Sequence, residues 1–542
     1  MSRFNTTSKG KNKTTNYMGA PAFKHTAELE LISILLTSFV QDSYYESSNK
    51  ELSRLSDVMK KVDPKFAANA AIYARHEFGM RSISHVLSVE IMKYASGQKW
   101  GKNFFREVVR RPDDMTEIVS YYFSKNKGAG KKLPASLKKG FADAFDKFDE
   151  YQLAKYRGEG KGVSLVDVVN LVRPVPTEKN ATGLQKLVND TLRSTETWNS
   201  KLTEAGKSAK TTEEKAEAKA DAWREMFESG KMPYFALLRN LRNIMEQAPE
   251  LIDDACKMLV NKNMIRKSLV LPFRFLTAYQ EIEAMTVSST SKSITFKSKD
   301  GDTEQNMKQK VLSALEAAVR VSVDNLPELA GNTVILSDNS GSMTGGGGRK
   351  SVTSAMSNTK TSDIANLFAM LYWLKSQDTF VGLFGDRLIE PKLDVNKGVF
   401  ENFKIVDEAK NSCGGATEHG IYDFFRKAIK EKTHIDTVVV FSDCQIGDGC
   451  NWYGNGAGTR QGDFNKLFEE YKRINPGVRV YSVALKGYGS TVFNDSVFKL
   501  AGWSDKIFDI MKIMEQDRNA LVNTIKNYVD LDATYESPRN SQ

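Results

Sequence analysis

Three short stretches of this sequence carry hard oxygen donors in a pattern that could hold a metal ion. Asp338, Ser340 and Ser342 fall in LSDNSGSM, Thr417 in GGATEHG and Asp443 in VVVFSDC. Two carboxylates and three hydroxyls suit a hard divalent cation, Mg2+ first and Mn2+ second, rather than zinc or copper. Hydroxyls carry little charge, so such an ion stays electrophilic. A carboxylate or phosphate oxygen from a partner would complete its octahedron. The plainer alternative is a turn in which Asp338 and the serines cap the next helix.

Other reactive residue types form no comparable pattern. Cys256, Cys413, Cys444 and Cys450 show no CxxC spacing. They read as small buried hydrophobes in a reducing, cytoplasmic compartment, with His419 and His434 as bases by sequence position only. His25, His76 and His85 lack ligand spacing and read as packed side chains. The glycines Gly345 to Gly348 read as a flexible loop, because no helix begins directly after them. No nucleophile elbow is present. We expect no catalytic residue and no enzyme: one open-sided ion lacks the paired-metal carboxylate cluster of nucleases.

The elements that must position the oxygen donors are legible from hydropathy. TVILSD and TVVVFSD are short apolar runs, each ending on one of the aspartates. With TFVGLF and VYSVAL they alternate with helical stripes such as Ile364, Leu367, Phe368, Leu371 and Leu374. Non-alternating apolar strands between helices predict a parallel sheet covered on both faces, a doubly wound α/β domain whose ligands bind beyond the strand C-termini. The last helix is expected to run through MKIMEQDRNALVNTIKNY. From about Thr26 to Val323 the pattern is helical instead. Leu137, Phe141, Phe145 and Phe148 mark one buried face, and Leu29, Ile32, Leu36 and Phe39 another. Breaks at Pro64, Gly79, Pro112, Pro134, Pro174, Pro233 and Pro272 suggest stacked helical pairs, an α-solenoid. Residues 199–222 are poor in large apolar residues, so they form an exposed helix or a flexible insertion. Mean hydropathy is −0.43 and no apolar run reaches membrane-spanning length, so no membrane partner is expected.

Charge is distributed unevenly. The chain of 542 residues carries 77 basic and 67 acidic side chains; up to Ala330 there are 52 and 41, and from Gly331 onward 25 and 26. The whole positive excess lies in the helical part, which points to a polyanion, most often nucleic acid. Candidate phosphate contacts are Lys138 and Lys139 on one helix, then Lys155, Arg157 and Lys161 near a helix end, and Arg173 in LVRPVP. Arg75, Arg81, Arg110 and Arg111 flank turns, and Arg239 and Arg242 lie in LLRNLRN. Any one of these could instead be a solvated or structural cation.

The helical half resembles the TROVE module of the Ro autoantigen family. The resemblance rests on YARHEFGMRS, RRPDDM, LPASLKKGFADAFDKFDEYQLAKY, VVNLVRPVP, MPYFALLRNLRN and LPFRFLTAY. The second half resembles a von Willebrand factor A-type domain through LSDNSGSM, GGATEHG, FSDCQ and GYGS…AGWSDKIFDIM. Its five oxygen donors match that family's metal-ion-dependent adhesion site. The resemblance implies a multidomain α and α/β protein: a HEAT-like α-helical repeat toroid closed by the A-type domain. Residues 1–20 are rich in Ser, Thr, Asn, Gly and Lys without an acid and read as a disordered basic arm; the resemblance implies the RNA-binding ring over 21–330 and the A-type domain over 331–535, which leaves a tail over 536–542. It also implies a basic hole that accepts single-stranded 3′ ends of misfolded RNA. An outer surface would bind a small noncoding Y RNA, with Lys155 and Arg157 in the matching segment. Arg173 stands where vertebrate members carry a histidine.

Two functions follow as expectations. One is a non-catalytic, monomeric RNA-binding component of a ribonucleoprotein, acting in RNA stability and quality control. The other is a protein adaptor that captures an acidic partner, such as an exoribonuclease, through the metal site.

Overall fold

The computed structural model describes residues 12–127, 132–158, 160–192, 211–230, 232–268, 270, 272–285, 304–324, 329, 331–345, 351–352, 359–376, 378–447, 462–503, 506–514 and 516–535. The chain divides into two compact units. One is drawn from the residues up to Asp63, from Phe273 and from Ser322–Lys526; the other from Pro64–Val270, Arg274–Val321 and the chain from Asn527.

The first unit is the expected α/β domain. Its strands are β1 (Lys13–Thr15), β2 (Pro21–Lys24), β3 (Thr333–Asp338), β4 (Phe380–Phe384), β5 (Leu388–Ile389), β6 (Thr437–Ser442), β7 (Arg479–Ala484), β8 (Ser490–Thr491) and β9 (Phe498–Ala501). The main sheet has the order β5-β4-β3-β6-β7-β9, with every pair parallel except β4 and β5. Successive side chains leave a strand on opposite faces. Val334, Leu336, Val438 and Val440 join Phe425, Phe464 and Phe468 of two covering helices, His419–Glu431 and Phe464–Ile474. Phe441, of opposite parity, stacks on Phe368 of the helix Thr361–Lys375 at 5.6 Å. Both faces are therefore covered, which is why these strands are apolar throughout.

Residues 12–63 join this unit, which corrects the expected organisation. The arm expected to be disordered is described from Asn12 onward, and there Lys13–Thr15 pairs with Pro21–Lys24. β2 in turn pairs antiparallel with β8, Phe23 opposite Thr491. The arm is polar and short of acids, which hid two edge strands whose stability comes from a distant partner. The helix Ala27–Thr37 buries Leu31 through Thr37 and packs on β9.

The second unit is helical. Pro64–His76, Ser82–Ala95, Lys99–Glu107, Pro112–Lys125, Ala135–Ala144 and Leu165–Val172 pack mainly on near neighbours in sequence, as stacked helical pairs do. Leu137, Phe141, Phe145 and Phe148 are all buried as expected, but the α-helix stops at Ala144 and a 3-10 turn carries Phe145. The insertion resolves in part: Thr212–Glu228 is a helix that buries Trp223 and Met226, while 199–210 lies outside the described residues. So do Gly346 to Gly348 and the tail 536–542.

The C-terminal boundary also moves. Residues 527–535, expected in the α/β domain, belong to the helical unit. Asn103 Nδ2 donates to the carbonyls of Leu531 (2.9 Å) and Ala533 (2.8 Å), Tyr528 donates to Glu77 at 2.6 Å, and Arg106 lies 3.8 Å over the Tyr535 ring. The expected last helix is broken into Lys506–Met514 and Ala520–Lys526. The strap after Lys526 has no amphipathic period, and polar anchors hold it.

Candidate metal centre and basic surface

The five oxygen donors converge at one end of the main sheet. β3 lies between β4 and β6, so chain connections leave it in both directions. Such a switch point opens a crevice beyond the strand C-termini. Asp338 ends β3, and Asp443 directly follows β6. Asp338 Oδ1 accepts from Ser340 N at 2.9 Å, and its Oδ2 from Ser442 Oγ at 2.6 Å. Ser340 and Ser342 hydroxyls stand 3.3 Å apart. Gly341 N donates to Gly415 O at 2.9 Å, which ties the first loop to the loop bearing Thr417.

The centre is buried and acidic. Asp338, Ser340, Ser342, Thr417 and Asp443 are all buried. Burial, then the charge of Asp443, pushes Asp338 up to about 7, and burial raises Asp443 as well. Asp443 Oδ1 accepts from Gln445 N at 3.0 Å, but its Oδ2 has no hydrogen-bond partner among the described residues. A buried, unpartnered carboxylate oxygen beside a second buried carboxylate is costly. A divalent cation held by this donor set would remove that cost, so the residues fit such an ion. No group of three or more His, Cys, Asp or Glu among the described residues is arranged to hold a metal.

Three contributors were not found from the sequence. Asp386, just past β4, accepts from Thr417 N at 2.6 Å and from its Oγ1 at 2.8 Å, and so orients that hydroxyl. Glu418 is buried beside the aspartates and accepts from Gly447 N at 3.0 Å; burial and the charge of Asp338 hold its pKa well above the ordinary value. Tyr45, remote in sequence, meets Met18, whose side chain lies against Gly447 in the loop after Asp443. The acid in FGDR at a strand end was the one available signal. Cys444 adopts a left-handed φ of 62° next to Asp443, a strained position typical of functional loops. Burial pushes its thiol and that of Cys413 up to about 12. Both side chains are buried free thiols.

The basic candidates divide. Arg75 is buried and gives Asp114 two hydrogen bonds of 3.0 and 3.1 Å, which removes it from the set available to phosphate. Arg157 is committed to Asp190 and to the Leu192 carbonyl, again a structural role. Arg81 pairs with Asp113, Asp114 and Glu117. Arg110 is exposed and donates to the His76 carbonyl at 2.9 Å. Arg111 pairs with Asp113 at 2.7 Å yet lies 4.7 Å over the Tyr156 ring, and Lys155 reaches the same ring at 5.6 Å. Lys138, Lys139, Lys161, Arg173, Arg239 and Arg242 are exposed. Arg239 and Arg274 lie 5.8 and 5.9 Å from the exposed Phe235 ring. Cations beside aromatic rings are the chemistry that holds single-stranded nucleic acid.

The TROVE domain model matches residues 36–222 and 192–310 of the chain. The chain belongs to the TROVE family. That family is known for RNA binding. Telomerase protein component 1 of Mus musculus is 23% identical over 362 residues, which is 50% of this chain and 13% of that protein. The Rattus norvegicus protein of the same name is 22% identical over 354 residues, 49% of this chain and 13% of its own length. The chain thus spans a small part of these curated relatives. The crystal structure of the Deinococcus radiodurans Ro (RSR) protein matches 93% of this chain and 100% of its own, at a TM-score of 0.52 and 15% identity. The two share a fold. All twelve basic candidates fall within the TROVE match, and all five oxygen donors lie beyond it. Residues 36–63 of the TROVE match, Tyr45 included, pack in the α/β unit.

Proposed function

We propose that this TROVE-family chain binds RNA through its helical unit as a non-catalytic part of a ribonucleoprotein. Segregation of charge carries the reading. The helical unit holds 44 basic and 35 acidic residues, and the α/β unit 33 and 32. A net excess confined to one unit attracts phosphates there and leaves the other unit neutral. The Tyr156 ring with Arg111 and Lys155 supplies stacking beside the charge. Small structured noncoding RNA is proposed at Lys155 and Lys161, and single-stranded ends of misfolded RNA at the exposed arginines. Three free cysteines among the described residues suit a reducing cytoplasm, and no helix among those residues is long and apolar enough to cross a membrane. Crosslinking in cells, followed by sequencing of the RNA and mapping of the crosslinked peptides, tests this. Crosslinks should fall in 64–321; recovery of no RNA, or crosslinks confined to the α/β unit, would sink it.

The orphaned Asp443 oxygen favours a second, compatible role. We propose that Asp338, Ser340, Ser342, Thr417 and Asp443 hold Mg2+ or Mn2+, through which the α/β unit meets an acidic partner such as a nuclease. Asp338→Ala separates the roles: partner recovery should fall while RNA binding persists. Loss of both together would count against two separate sites.

A further inference from the structure

We propose that the open side of the candidate cation centre is closed by the chain's own N-terminal segment, with Tyr45 over the site and the Asn16–Tyr17 turn locking the loop after Asp443. A partner's carboxylate then reaches the ion only once this segment is displaced. The inference rests on the cation reading given above and concerns what controls access to it.

Contacts reach the centre from three points of the segment. Asn16 Nδ2 donates to the Ile446 carbonyl at 2.8 Å, and Tyr17 N donates to Gln445 Oε1 at 2.8 Å. Gln445 is the residue whose backbone N–H holds Asp443 Oδ1. The segment therefore grips the loop that orients a proposed ligand. Tyr45 stacks on Tyr17 with ring centroids 5.5 Å apart and meets Tyr488 edge-on at 5.5 Å. The hydroxyl of its neighbour Tyr44 lies 3.6 Å from the Cβ position of Gly341, between the two candidate serines.

The cover is built, not incidental. β2 pairs with β8 two residues beyond Tyr488. Arg54 binds Glu46 at 2.8 Å and Glu30 at 3.1 Å, which fixes the segment on both sides of Tyr45. Packing alone would be served by phenylalanine at position 45. Among the described residues, the Tyr45 hydroxyl donates to Met18 Sδ at 3.0 Å, a weak acceptor. A phenol held through Met18 near Gly447, whose N–H binds the buried Glu418, instead suits an ion's outer sphere, where hydroxyls orient ligands and bound water.

Full-length protein with Mn2+ as the probe and acetate as a model carboxylate tests the closure. Mn2+ should slow tryptic cleavage after Lys24, an exposed residue of β2. Tyr45→Phe should weaken Mn2+ about tenfold, the usual scale for losing an outer-shell partner. Acetate should leave Mn2+ affinity unchanged in the wild type and raise it in an Asn16→Ala/Tyr45→Ala variant whose melting curve shows that it folds. If acetate raises Mn2+ affinity equally in the wild type, or if Mn2+ binds without affecting cleavage or responding to Tyr45→Phe, the closure is wrong and the cation reading stands. If the wild type binds no Mn2+, both fall.

Discussion

Asp114 accepts hydrogen bonds from Arg75, Arg81, His85 and the backbone N–H groups of Arg110 and Arg111. It is fully buried, yet these donors hold its pKa well below the usual carboxylate range against the opposing effect of burial. Asp114→Asn leaves buried cations uncompensated, so it should cost about 3–5 kcal/mol in urea unfolding. His85 gives this network a pH signature. Burial alone would lower its pKa, but hydrogen bonds to Asp114 and Glu117 outweigh burial and raise it above the ordinary 6.5. The protonated ring therefore adds stability in full below pH about 6.5, and that stability is lost as pH rises through the raised value. The stability gap between wild type and His85→Gln should shrink between pH 6 and pH 9; a constant gap would refute the assignment. At the candidate metal centre, Mg2+ should raise the melting temperature of the wild type and Asp443→Asn should abolish that rise, as measured with and without the ion. The five donors could be read from the sequence because each follows a strand or a glycine-rich turn in a recognisable string. Asp386, Glu418 and Tyr45 could not, because their roles come from neighbours brought near by folding. Arg75 and Arg157 looked like surface cations for the same reason: Asp114 and Asp190 lie more than thirty residues away.

Among the elements, the apolar strands and amphipathic helices were legible because burial imposes a period on their sequence. The parallel sheet covered on both faces matches the expectation built on those runs. β1 and β2 were missed because a short polar edge strand has no such period. The helix Ala135–Ala144 shows how tightly the helical elements fit. A Cβ on Gly140 would lie 2.5 Å from the Lys102 carbonyl and 2.6 Å from Phe105 Cβ on the neighbouring helix Lys99–Glu107. The sequence offered no sign that this glycine marks a close approach, since a helical glycine has several explanations. Gly140→Ala should destabilise the protein by about 1–3 kcal/mol through overpacking, although alanine is the better helix former. Thermal unfolding against a Gly162→Ala control, whose site has open space around it and no positive φ, checks this.

Over the whole molecule, the two units carry different charge, and RNA affinity should follow the helical one. Log affinity should fall linearly with log salt, and replacing an exposed lysine that meets phosphate should reduce the slope by about 0.7 for a single strand. Lys138→Ala and Lys161→Ala are the variants to compare with Arg75→Lys, which should alter stability rather than slope. A salt-independent affinity would contradict phosphate recognition. The division at residue 330 expected from the sequence followed the change from helical to alternating pattern, and nothing in that pattern reveals that residues 12–63 and 527–535 cross it.

That crossing has a consequence for how the protein is made. A ribosome delivers the helix Ala27–Thr37 first and its sheet last, since β2 finds β8 only after Ser490 emerges. At 5–20 residues per second the wait is roughly half a minute to a minute and a half. Through that interval a run of seven side chains destined for burial stays without its cover, a natural client for a chaperone. The helical repeats can meanwhile close on their near neighbours. The helical repeats would thus fold before the α/β unit whose parts flank them in the sequence.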